Sequence, residues 1–136
     1  MTNSEYFFWL AGQVGGALAG LWYITVPAAA IGSVGLVGII RAGKGVGMAV
    51  ASALMGILAP ALILLVGTLL RAPNSGQGGQ GYSVLGASVV CLAVFVAWTV
   101  GARGCRLAVS GVLVAAVWPL LLATFVGVMS VSGDWL

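Results

Sequence analysis

Histidine is absent from this 136-residue chain, and only two residues are acidic, Glu5 near one end and Asp134 near the other. Charge of either sign is scarce, with five lysines and arginines and 5% charged residues in all. There are two cysteines, Cys91 and Cys105, in no CxxC or Cys/His spacing. Each shortage excludes a kind of chemistry. With no histidine and two distant carboxylates, acid–base catalysis has no pair of groups to work with. No ionisable residue falls inside an apolar run, so a proton relay or transport counter-ion has no candidate. The two thiols, taken as helix positions about 14 residues or ~21 Å apart, are too distant for a mutual disulfide. Cys91 reads as a small packing residue and Cys105 as a free thiol. The expectation is a protein that is not an enzyme, with no catalytic residues, no metal site and no cofactor other than bound membrane lipid, a phospholipid or an archaeal lipid.

What the chain has instead is apolar length. Hydrophobic residues make up 62% of it, and the mean hydropathy is +1.21. A soluble domain of this size buries only about two-thirds of its chain surface, so the solvent around this one is lipid. The sequence predicts an all-α membrane protein of four hydrophobic helices. Residues 1–18 read as an aromatic interfacial lead-in, with Phe7, Phe8 and Trp9 as anchors at the membrane surface, and nothing marks the start for removal. The first span, about 19–40, continues an apolar stretch too long for one crossing, and the kink is expected near Pro27. A short basic hinge, 41–45, leads into a second span containing Pro60. Residues 71–81, rich in Gly and Gln, form a linker. The third span leads to a second hinge, 101–106, and the fourth contains Pro119. Trp135 is expected as the anchor at the far end.

Four of the five basic residues lie in the hinges: Arg41 and Lys44 in the first, Arg103 and Arg106 in the second. Four spans put both hinges on one side, and the excess of positive charge predicts that this side is cytoplasmic, with both termini outside and Arg71 the one dissenting charge. Laying Lys44 on Arg103 brings the rest into register without a gap: Tyr23 on Tyr82, Gly45 on Gly104, Leu54 on Leu113, Pro60 on Pro119. The chain therefore reads as one helical hairpin written twice, residues 19–70 and 82–136, at an offset of about 59.

Glycine is abundant, at 22 residues, and much of it is spaced to let helices approach closely in lipid. Gly12, Gly16 and Gly20 form a continued GxxxG ladder, and Gly32, Gly35 and Gly38 a second small-residue face. Function by contact is more economical here than function by chemistry. The aromatic lead-in, kinked apolar helix, Gly/Lys or Gly/Arg hinge and second apolar helix together resemble the major pilin of conjugative type IV secretion systems, and within that family the archaeal DNA-exchange pili. The resemblance covers residues 6–70 and again, without the lead-in, 82–131. It implies a structural subunit that polymerises with lipid into a helical tube, an extracellular filament for DNA transfer. Arg41, Lys44, Arg103 and Arg106 would line the lumen, opposite lipid head groups or the phosphates of passing single-stranded DNA. The implied partners are further copies of the chain, membrane lipid, single-stranded DNA bound without sequence recognition, and secretion-system subunits. The chain departs from the family in being a doubled hairpin. Two other readings fit the composition: a small accessory subunit of a larger membrane complex, and a holin-like pore former.

Overall fold

The computed structural model describes residues 2–70 and 81–132, and within them the chain is helical throughout, with no strand. Five helices follow in order: α1 (Asn3–Gly20), α2 (Trp22–Arg41), α3 (Gly45–Leu69), α4 (Gly81–Gly101) and α5 (Arg106–Ser132). The last four are long and apolar enough to cross a bilayer, and this is an all-α membrane protein. Residues such as Val34, Ile57, Val89 and Leu121 point outward. In water that surface would be untenable, whereas lipid solvates it.

At the sequence offset of 59, the two hinges share one backbone feature. Gly45 and Gly104, paired by the repeat, both take positive φ, +81° and +88°. Only glycine occupies that region without strain. Gly43 does the same at +70°. Pro60 and Pro119 both lie inside helices, α3 and α5. Each removes one backbone donor that the packed bundle tolerates.

The expected bend is displaced. The chain breaks at Leu21 (φ −99°, ψ 38°), six residues before Pro27, and Pro27 lies within α2. Gly15, Gly16 and Gly20 weaken the helix on the near side, and Thr25 repairs the break from the far side. Its hydroxyl donates to the Leu18 carbonyl at 2.8 Å and lies 3.2 Å from that of Leu21. Trp118 on α5 then donates its indole N–H to the same hydroxyl at 3.1 Å. The lead-in thus ends at Gly20 rather than at residue 18. At the other boundaries, the hinges reduce to turns at 42–44 and 102–105, and Gly81 belongs to α4. The rest of the expected linker and Trp135 lie outside the described residues.

Packing does not follow the repeat. α5 packs on all four other helices, most extensively on α3 and α2, whereas α2 and α3, joined by the first hinge, touch each other far less. The last described helix, α5, therefore sits at the centre of the bundle. It can do so because small residues face it. A Cβ on Gly35 would stand 2.6 Å from the Ala108 carbonyl oxygen and 2.9 Å from Val112. Gly32 and Gly38 oppose Ala115 and Ala108, and Gly67 opposes Gly127. Backbones this close gain dispersion contacts that lipid chains cannot match. Buried hydroxyls tie the other two helices to α5: Ser88 of α4 to Thr124 at 2.7 Å and Tyr6 of α1 to Ser130 at 2.8 Å. Such bonds in membranes are worth roughly 0.6 kcal/mol, up to about 1.7.

The first helix begins beside Ser130 and ends where α2 begins. Both places are remote from the hinges, by roughly 36 Å along α5 and 30 Å along α2. α1 therefore lies across the far end of the bundle. Tyr6, Leu10 and Val14 make its buried stripe.

Replacing Gly35 by Ala should cost about 1–3 kcal/mol by overpacking the α2/α5 contact. The same change at Gly15, where nothing lies within 4 Å of the new Cβ, should be neutral or stabilise by about 0.5–1 kcal/mol. Unfolding in mixed micelles, followed by circular dichroism, compares the two.

Candidate functional site: the cationic hinge face

Both hinges meet at one end of the molecule. The Lys44 side chain runs over the second hinge, its Cε 3.3 Å from the position a Gly104 Cβ would take. Cys105 Sγ lies 3.8 Å from Met48 Sδ, joining the second hinge to the first turn of α3. Arg41, Lys44, Arg103 and Arg106 are all exposed. Among the described residues the one carboxylate, Glu5, is at the opposite end. Its side chain accepts from the Thr2 backbone N–H at 2.7 Å, while its own N–H donates to the Thr2 hydroxyl. That capping box is legible as Thr2-x-x-Glu5, a helix-start signal that the reading of residues 1–18 as an aromatic lead-in leaves unused.

The hinges are built differently in detail. The first is exposed from Arg41 to Gly45, whereas Ala102 and Cys105 of the second are buried. Beside the second hinge, Gly38, Ala42, Cys105 and Arg106 are among the residues lining a cavity of about 440 Å³. The arrangement gathers four exposed cations at one end, one of which, Arg106, is in the cavity wall. It can attract phosphate-bearing groups by charge, and it holds no base-reading geometry.

The aromatic residues of α1 divide. Phe8 is 72% exposed and Trp9 is half covered, its ring stacked on Tyr6 at 5.6 Å. Phe7 instead packs against the core and lines a groove between α3 and α4. Tyr6, absent from the expected anchors, is buried and bonded to Ser130. Position along the helix makes the difference: Tyr6, Leu10 and Val14 fall on one face, and Phe8, Gly12, Gly16 and Gly20 on the face roughly opposite. A Cβ built on any of those three glycines meets nothing within 4 Å.

Gly45→Ala and Gly104→Ala should each cost about 1–2 kcal/mol, because an L side chain resists positive φ. Gly101→Ala, at the helical end of α4 with open space around it, should cost nothing; micelle unfolding reads all three. No protein family model matches the sequence, no curated protein is similar to it, and no solved structure matches its fold.

Proposed function

We propose that this chain is a structural membrane subunit that works by assembling with further copies of itself. One observation carries the reading. The glycines of α2 that are spaced for close approach are consumed within the chain, against Ala108, Val112 and Ala115, whereas the ladder Gly12, Gly16, Gly20 on α1 meets nothing. Its helix is fixed to the bundle by the opposite face. Small-residue ladders associate helices in lipid by backbone approach, and this one is held outward with Phe8 in the same row.

In its finer form the assembly is a filament of the conjugation-pilus type, with Arg41, Lys44, Arg103 and Arg106 facing the bore. What supports this is the gathering of four cations at one end, with the only described carboxylate at the other. A cationic ring repeated along a tube offsets phosphate charge without regard to sequence. The hinges face the cytoplasm before assembly, as their positive charge dictates, and the role is structural, not enzymatic.

Material sheared from cells, imaged in negative stain, should contain filaments of this chain. Gly16→Leu should abolish them while the subunit remains folded in detergent, since the new side chain meets open space. Recovery of the wild-type chain only as monomers, or only bound to larger integral subunits, refutes self-assembly. An Ala42→Cys variant should react with an impermeant maleimide in inverted vesicles and not in intact cells; the reverse pattern refutes the orientation.

A further inference from the structure

Helix α1 is joined to α2 through one residue. Leu21 (φ −99°, ψ 38°) caps both, and every residue from Asn3 to Gly20 and from Trp22 to Arg41 is helical. The break leaves backbone bonds unmade. A continuous helix would bond the Trp22 N–H to Leu18 and the Tyr23 N–H to Ala19. Neither N–H bonds back to α1, and that of Ile24 turns to the Leu21 carbonyl at 3.0 Å. Thr25 fills one vacated place with its hydroxyl, on the Leu18 carbonyl. No charged residue lies between Glu5 and Arg41. Pro27 does not obstruct a join, because its missing donor and its ring concern the Tyr23 carbonyl, inside α2. What keeps α1 bent back is its seat. α1 touches α3 and α5 more than it touches α2, through the Tyr6 hydroxyl on Ser130 and the buried Leu10 and Val14.

We propose that α1 is an exchange arm. As copies assemble, Leu21 turns helical, α1 and α2 become one helix from Asn3 to Arg41, about 58 Å long, and α1 takes the seat on α3 and α5 of a neighbouring copy. The fit of arm to seat is already on display, since the seat holds this same helix within one chain. Exchange restores every contact that α1 makes with the bundle, between copies instead of within one. The joined helix also makes the Trp22 and Tyr23 bonds that the bend forgoes. Thr25 keeps an acceptor in the Leu21 carbonyl, one turn back in the same helix. A lone copy stays bent, because straightening would leave Tyr6, Leu10 and Val14 without a seat. A neighbour held close by supplies one at high effective concentration. This inference rests on the self-assembly reading and names its contact: the seat of one copy and the arm of the next. The outward glycine face of α1 takes no part in the seat and stays open to a further copy.

The test mixes two batches of the full chain in dodecyl maltoside, one with p-benzoylphenylalanine in place of Phe7 and the other a large excess of isotope-labelled wild type. Both are then reconstituted together in dioleoyl phosphatidylcholine vesicles. Phe7 shares a groove with Leu62 and Leu65 of α3, so a photoreactive ring there reports whose α3 the arm sits on. Irradiated as a detergent monomer, it should mark α3 peptides of its own chain. Irradiated after assembly, most adducts should move to isotope-labelled α3 peptides, as mass spectrometry reads directly. A second measurement places spin labels at Ser4→Cys and Ala42→Cys, with Cys91→Ser and Cys105→Ser, diluted in unlabelled chain. Their separation should lengthen on assembly from about 40 Å, with α1 across the end of the bundle, to about 57 Å along one helix. Thr25→Val, which frees the Leu18 carbonyl for Trp22, should raise the exchanged fraction about threefold. Should the benzoylphenylalanine chain fail to fold, the spin-label distance decides alone. Oligomers whose adducts stay within the chain and whose labels stay about 40 Å apart overturn the exchange and leave self-assembly standing. A chain that remains monomeric in the vesicles overturns both.

Discussion

Close approach of α5 to its neighbours is the constraint on which the rest depends. In lipid, burying apolar surface brings helices no advantage over leaving it in the bilayer, so association must come from better packing and from hydrogen bonds. This chain supplies the packing through Gly32, Gly35, Gly38, Gly56, Gly67 and Gly127, whose missing side chains let α2 and α3 settle on α5. The hydroxyls of Ser88, Thr124 and Thr25 then pin helices already within reach.

That constraint also explains the unequal halves. A duplicated hairpin could have produced a two-fold arrangement in which α3 receives α4 as α5 receives α2. At the sequence offset of 59, Cys91 and Val94 stand where α2 has Gly32 and Gly35, and α4 touches α3 far less than α2 touches α5. A groove results on one side, a tight seam on the other. Across the far end, α1 uses one stripe to hold on to α3 and α5. Its glycine ladder is left outward, an unspent contact surface. A chain nearly devoid of ionisable groups thereby acquires three distinct surfaces: a cationic end, an outward ladder and an apolar groove.

Much of the architecture was legible in order along the chain. Apolar runs of about 20 residues or more, bounded by Arg41, Lys44, Arg103 and Arg106, gave the spans, and the sequence offset brought Gly45 onto Gly104, both at positive φ. The break at Leu21 was less legible. Proline is the strongest helix breaker in a sequence, so Pro27 drew the expectation. The decision instead rested on Thr25 and Trp118, 93 residues apart, meeting over a carbonyl. Phe7 illustrates a similar point: within one aromatic run, which ring packs on neighbouring helices and which stays exposed depends on a neighbour that only the fold supplies.

Composition and periodicity by themselves determined the solvent, the four helices long and apolar enough to cross it and the gathering of basic residues in two hinges. These follow from local quantities: transfer cost, helix rise and the charge on each turn. Which helix would sit at the centre, which glycines would be consumed and which left outward, and where a gap would open were decided only in three dimensions. Packing is a relation between faces, and a sequence specifies each face without naming the one it meets.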